Sequence, residues 1–233
     1  LLHKEEIKNC GKDAKNIVSL GTAGFVMQLT NSLVTICCNN VLAATGGDVY
    51  VSVMTIISSV RQMIETPIWS ISEGSSPIIS YNYGAKRPKK VIKAWITMSV
   101  LALLYSIIAW SIILLAPKFL IGIFSSDKSL MIYTVPAMKL YFSAFIFMLF
   151  QYTGQTMFKS LNKKIQAIFF SLLRKVVIVV PLTYLLPYTF HMGCNGVFLA
   201  EPVSNVIGGT LCFLVMLATV LPELKRMNSD LNR

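Results

Sequence analysis

The chain has 233 residues, 55% of them hydrophobic and only 13% charged, and a formal net charge of +11. A nucleic-acid binder would gather such a surplus on one solvated face; here Lys and Arg occupy turns between uncharged stretches, which excludes that class. Those stretches are Asn16–Gly47, Ala94–Pro117, Leu140–Phe158, Val176–Ala200 and Pro202–Pro222. Each is close to or above the ~20 residues a spanning helix needs, so the fold class is all-α, a polytopic membrane protein.

Residues 1–19 read as a cytoplasmic lead-in of mixed charge, without the apolar region and small-residue cleavage site of a secretory signal. The chain starts with Leu rather than Met, which leads us to expect a piece of a longer protein. Six membrane helices are predicted near Leu20–Leu42, Val51–Ile79, Ala94–Leu115, Leu130–Phe158, Val176–Pro187 (extending upstream to about Ile165) and Val197–Leu221, followed by a cytoplasmic tail over 222–233. Of the 21 Lys and Arg, four fall in Leu1–Ser19, five in Ser80–Lys93, five in Lys159–Lys175 and three in Pro222–Arg233. The opposite connections hold only Lys118 and Lys128. The positive-inside bias then places both termini in the cytoplasm.

Polar stripes run along these helices. In the first, Gln28, Asn31, Ser32, Thr35 and Asn39 recur at spacings of three and four and share one face. Amides facing lipid would go unpaired at a cost of several kcal/mol, so this face turns to other helices or to a wet cavity. The second helix carries Ser58, Gln62, Glu65, Trp69, Ser72, Glu73 and Ser76, with Arg61 one turn before Glu65. Ionisable groups at membrane depth mark either a pathway or a structural pair, and Arg61 with Glu65 can neutralise each other at this spacing. Glu73 is expected to anchor the basic turn that follows, and Pro67 and Pro77 to kink the helix or free backbone carbonyls.

The fourth helix presents Gln151 and Gln155 one turn apart. Lys139, nearer its outer end, is either a buried partner for a carboxylate or a residue reaching the headgroups. Arg174 and Lys175 are expected near the cytoplasmic end of the fifth helix, with their side chains reaching the headgroups. In the last helix Glu201 and Asn205 share a face. Glu201 is a candidate N-cap, and Gly208-Gly209 permits close approach of a neighbouring helix. Five scattered cysteines give no disulfide framework or zinc site, and no phosphate loop, nucleophile elbow or HExxH is present. Neither an enzyme nor a resident cofactor or metal is expected.

The runs Gly46–Thr55, Glu73–Ala85 (EGSSPIISYNYGA), Phe124–Asp127, Gln151–Gln155, Phe158–Lys164 and Ala200–Pro202 resemble the multidrug and toxic compound extrusion (MATE) transporters, particularly the MepA-like branch. The likeness extends from about Leu20 to Leu221. It implies one six-helix lobe of a two-lobe transporter, here the C-terminal one, with residues 1–19 ending the connection between lobes. It also implies export of organic cations across the cell membrane, in exchange for H+ or Na+, by alternating access. The implied partners are the bilayer, small organic cations and the N-terminal lobe. The cavity-lining candidates are Gln28, Asn31, Ser32, Thr35, Arg61, Gln62, Glu65, Gln151, Gln155, Glu201 and Asn205. Where some branches carry a carboxylate on the seventh helix and an aspartate on the tenth, this chain has Asn31 and, by gapless counting, Met148.

Three other readings compete. A lipid-linked precursor flippase of the same superfamily would need a cavity rich in Arg and Lys, and within the expected spans only Arg61 and Lys139 qualify. A membrane-embedded transferase would need His, Asp or Glu clustered at one interface. A packing subunit without transport is the third, and a lipid-facing polar stripe would be unexpected for any of these.

Overall fold

A computed structural model describes the backbone of residues 4–230 and their side chains apart from 4–24, 26, 27 and 230. The outermost residues of the expected lead-in and tail lie outside the described residues, as do the side chains of the lead-in. Every regular element among the described residues is helical.

The first element, α1, runs over Lys4–Gly84, and within it only Gly47 leaves helical dihedrals, at φ 72 and ψ −171. That left-handed, extended backbone is open to glycine and strained for other residues. The neighbouring Gly46 is equally constrained by space, since a Cβ there would lie 2.3 Å from the Cys194 Sγ and 2.4 Å from the Tyr50 ring. The chain folds back at this pair. Gln28, Asn31 and Thr35 from the first arm line one cavity together with Ser58, Arg61, Gln62, Glu65 and Trp69 from the second. A straight helix from 28 to 69 would instead separate its ends by about 60 Å. The loop expected between the first two spans is therefore this two-glycine break. Pro67 and Pro77 both sit inside this helix, where each lacks the N–H that would meet the carbonyl four residues earlier, so backbone carbonyls are freed there as the sequence leads one to expect.

Then come α2 (Pro88–Leu115) and the short α3 (Pro117–Phe124), which occupies part of the connection expected there. Asp127 begins α4 (Lys128–Tyr141): its carboxylate accepts from the Ser129 amide at 2.8 Å and hydroxyl at 2.7 Å. Those bonds hold the carboxyl below its ordinary pKa, the Ser129 hydroxyl contributing most. The single helix expected over Leu130–Phe158 is broken. α4 gives way to a 3-10 turn (Phe145–Phe147) and α5 (Met148–Ser160), at a bend of 47°. The break exposes the Phe142 carbonyl, and the Trp110 indole on α2 donates to it at 2.9 Å.

The rest forms two long helical stretches with wide π turns. The first comprises α6 (Lys164–Leu172), a π segment (Leu173–Val179), α7 (Val180–Tyr184) and a second π segment (Leu185–Thr189). The other comprises α8 (Cys194–Ser204), a π segment (Asn205–Gly209) and α9 (Thr210–Asp230). α9 carries most of the expected tail as helix. By length and apolarity, four helices can cross a membrane, or five with the bent α4/α5 pair.

One apolar core joins both arms of α1 to α2, α4 and α8 through residues such as Leu42, Ile57, Ile68, Ile113, Met138 and Phe198. A second, with Ile79, Met98, Phe158, Met216 and Leu224, closes the end that carries the basic turns. Polar ties reinforce that end. The Ser80 hydroxyl donates to the Ser160 carbonyl at 3.0 Å, and Lys159 Nζ meets Glu73 at 3.0 Å. Lys163 and Tyr83 both donate to Glu223 at 2.5 Å. Outward-facing Leu101, Leu104, Ile108 and Leu115 of α2 are exposed, as a surface in contact with acyl chains requires.

Backbone approaches closely at Gly209, where a Cβ would stand 2.7 Å from the Phe147 carbonyl oxygen. Gly209→Ala is expected to cost about 1–3 kcal/mol, as overpacking does. Gly74→Ala, with nothing within 4 Å, should leave stability equal or up to ~1 kcal/mol higher. Thermal unfolding in detergent compares the two, and equal melting temperatures would contradict the close approach.

Candidate functional site

The site lies where the two arms of α1 face α5, the α6–α7 stretch and α8. Its centre is a carboxylate. Glu201, 5% exposed, accepts from Lys175 Nζ at 3.0 Å and Arg174 Nη1 at 3.0 Å, with Arg61 Nη2 at 3.5 Å. Arg174 Nη1 also donates to Asn205 Oδ1 at 2.6 Å. Arg61 pairs with Glu65 one turn along the same arm and donates to the Tyr141 hydroxyl at 2.9 Å. The Tyr152 hydroxyl donates to Glu65 at 3.3 Å. Five ionised side chains from three parts of the chain thus form one network.

Depth explains why they assemble. Arg61 is fourteen residues past Gly47 and Lys175 eleven past the start of α6, roughly 20 and 16 Å along their helices. A charge that far from either end finds no headgroup and must be neutralised inside the bundle. The π segments aid the assembly. Arg174 and Lys175 are adjacent in one, and both reach the same Glu201 oxygen; Asn205 opens another. Gly208 makes room, since a Cβ there would press on the Arg174 stem at 2.8 Å.

Several expectations are corrected here. Glu201 is no N-cap: Gly193 precedes α8, and Glu201 lies inside it under three cations. Arg174 and Lys175, 8% and 5% exposed, do not reach the headgroups but turn inward. Lys139 is exposed in the last turn of α4. The basic residues facing the interior are accordingly Arg61, Arg174 and Lys175 rather than Arg61 and Lys139. The shortage of interior cations that counted against an acidic passenger is therefore lifted.

Two adjoining cavities border the network. The first, about 410 Å3, is lined by Gln28, Asn31, Thr35, Arg61, Gln62, Glu65 and Glu201 among the candidates, and also by Ser58, Trp69, Tyr141, Tyr152 and Lys175. The second, about 350 Å3, shares Gln28, Asn31, Arg61, Glu65 and Lys175 with it and adds Gln151, Gln155, Glu73, Lys159 and Arg174. Ser32 and Asn205 line neither. The Ser32 hydroxyl turns back to the Gln28 carbonyl at 3.2 Å, and Asn205 holds Arg174. Met148, the counterpart of an acidic position in some branches, is buried in the core at 2% exposure.

The two glutamines of α5 are tied to a neighbour. Gln151 Nε2 donates to the Phe170 carbonyl at 3.4 Å and Gln155 Nε2 to the Ala167 carbonyl at 3.3 Å, both on α6. By contrast Gln28, Asn31, Thr35 and Gln62 are exposed along the open wall. Tyr141 lies on no polar stripe and is not singled out by the sequence, which assigns Lys175 to the headgroups rather than to the cavity it lines. A pair of cations about ten residues inside an apolar span was the available signal for Lys175.

Removing the central carboxylate would leave three buried cations sharing only Glu65. Glu201→Gln is expected to destabilise the protein by about 3–5 kcal/mol, the cost of breaking a buried pair. Glu73→Gln, at a half-exposed pair with Lys159, should cost less than about 1 kcal/mol. Melting temperatures of the two variants decide between a central and an incidental role for Glu201.

Comparison with known proteins follows the same outline. The MatE family model matches residues 23–185. A search of curated protein sequences finds no significant match. Among solved structures, a MATE protein in its bent conformation superposes with a TM-score of 0.84 at 18% identity, covering 98% of this chain and 49% of that one. An inward-facing multidrug resistance MATE family transporter of the MOP superfamily gives 0.81 at 19% identity, over 97% and 50%. A MOP superfamily transporter from Pyrococcus furiosus, described as having a binding pocket of reverse polarity, gives 0.81 at 18%, over 98% and 49%. At such identities the likeness shows the fold, and the chain spans about half the length of these proteins. A family model covering well over half of the chain, on a helical membrane fold with a charged interior, makes it a member of the MatE family of membrane transporters.

Proposed function

We propose that the chain is the C-terminal lobe of a MepA-like secondary antiporter, which exports small organic compounds from the cell in exchange for H+ or Na+ by alternating access. The observation that carries this reading is the convergence of polar side chains from both arms of α1, α5 and the α6–α8 stretch on one cleft at membrane depth. Such a wall is of use only if a passenger or water meets it. On this reading the Gly47 break returns the chain across the bilayer. Residues 20–221 then make six crossings of the cell membrane with both termini in the cytoplasm. Residues 1–19 end the connection from the first lobe, and 222–233 form the tail.

Organic cations are the passengers the family resemblance implies. Glu65 is the group best placed to couple them to an ion. It borders both cavities, is half-buried, and has two partners, Arg61 and Tyr152, that can let it go. A proton or Na+ arriving at Glu65 from one side competes with what the cleft holds. The exposed amides Gln28 and Asn31 set which passengers fit. No covalent step is needed, because the work is done by exchanging one set of charge partners for another.

In proteoliposomes of the complete transporter, Glu65→Gln should slow dye export roughly tenfold, the worth of one charge-assisted hydrogen bond. Gln28→Ala and Asn31→Ala should change the ranking of substrates while leaving coupling intact. Collapsing the proton and sodium gradients separately identifies the ion. Wild-type export by a normally inserted Glu65→Gln protein would leave Glu65 only a structural role.

A further inference from the structure

The second cavity is not electrically balanced. Its wall holds four cations, Arg61, Lys159, Arg174 and Lys175, against two carboxylates, Glu65 and Glu73. The Glu73–Lys159 pair, 3.0 Å apart and partly exposed, accounts for itself. Arg61 takes Glu65. Arg174 and Lys175 are left to share Glu201, whose carboxylate borders the first cavity and not the second. Over the whole network, three interior cations face two carboxylates, so one positive charge is left over. Arg174 also keeps an Nε–H without a partner among the described residues, although its side chain is 8% exposed.

An uncompensated cation inside a bundle is costly and is relieved most directly by an anion. Guanidinium and ammonium groups side by side are a recognition pattern for oxyanions. We infer that this cavity receives the oxyanion of an amphiphilic passenger, a carboxylate, sulfonate or phosphate, against Arg174 and Lys175, while the exposed Trp69 and the open wall of α1 take its apolar part. This inference rests on the transport reading above. It shifts the passenger from organic cations to compounds that carry an acidic group, alone or beside an amine.

The geometry fits in two further respects. Trp69 borders both cavities and is 53% exposed, so an aromatic face is available next to the cations without rearrangement of the core. The cavity volume of about 350 Å3 is within the range of small-molecule pockets, roughly 300–1,000 Å3.

The test uses the complete transporter in proteoliposomes with two matched probes: a rhodamine bearing a free benzoate and its methyl ester, which differ only in the acidic group. The free acid is expected to be transported, or to compete for transport, at roughly tenfold lower concentration than the ester. Lys175→Gln should abolish that preference. Lys175→Gln combined with Asn31→Lys, which returns a positive charge on the open wall, should restore it, a rescue that a purely structural role for Lys175 would not give. If Lys175→Gln does not insert, Asn31→Glu alone, at an exposed position, should lower the preference for the acid.

Transport of the ester with no competition from the acid, unchanged by these substitutions, would overturn the inference and leave the transport reading standing. Failure of either dye to move or bind under any gradient would overturn both. Translocation of a fluorescent phosphatidylglycerol in place of the soluble acid would keep the oxyanion site and identify its source as a lipid headgroup.

Discussion

A carboxylate held by three cations at membrane depth is the constraint around which this bundle is arranged. Hydrocarbon offers no partner to a charge, so each must be met inside the protein. Glu201 alone cannot neutralise Arg61, Arg174 and Lys175, and Glu65 alone cannot hold Arg61 in place. Together they form a network joining the second arm of α1, the π segment after α6, and α8. Neighbouring residues on a regular α-helix point about 100° apart, which would send Arg174 and Lys175 to different surfaces. Here both lie in a π turn and their long side chains converge on one oxygen, and such turns are frequent at functional sites. Gly208 then admits the Arg174 stem. Local helix irregularity, small-residue placement and charge pairing thus have one cause.

The polar groups around this network divide into two kinds by what they touch. Gln151 and Gln155 donate to carbonyls of α6 and fasten α5 against it, and Asn205 secures Arg174. Gln28, Asn31, Thr35 and Gln62 line the cleft with their side chains exposed. Side-chain type does not separate the two kinds, since an amide serves both. What separates them is whether a neighbouring helix offers a carbonyl at the right depth. The glutamines facing α6 are spent on cohesion, whereas those on α1 remain available to a ligand.

Much of the bundle was legible in the sequence because charge and hydropathy alternate so cleanly along the chain. The helical stretches fall where uncharged segments predict them, and Arg61 pairs with Glu65 as their spacing of four requires. What was not legible depends on long-range partners or on backbone detail. The break between α4 and α5 has no strong local signature: Pro136 lies one turn upstream of the region that bends, and the decisive stabiliser, Trp110, comes from another helix. Arg174 and Lys175 look like headgroup-reaching residues when the nearest charged neighbours in sequence are the only ones considered. Glu201 looks like a cap because it is near the start of its helix. Only their meeting across 26 and 27 residues reveals that each answers the other.

The open wall of α1 sets a further requirement. Gln28, Asn31, Thr35, Gln62 and Thr66 are exposed on one side of the hairpin, together with Trp69. Turned to acyl chains, each amide would cost several kcal/mol. Thr35 and Thr66 satisfy their hydroxyls on the carbonyls of their own helix at 3.0 and 2.6 Å, whereas Gln28, Asn31 and Gln62 leave their amides in the open cleft. The wall must therefore border water or a further protein surface, while the opposite faces, rich in exposed Leu and Ile on α2, border lipid. A bundle with one wet side and the rest greasy cannot be surrounded by acyl chains on every side. The same physics that forbids amides in lipid thus decides which side of the bundle faces acyl chains and which side does not.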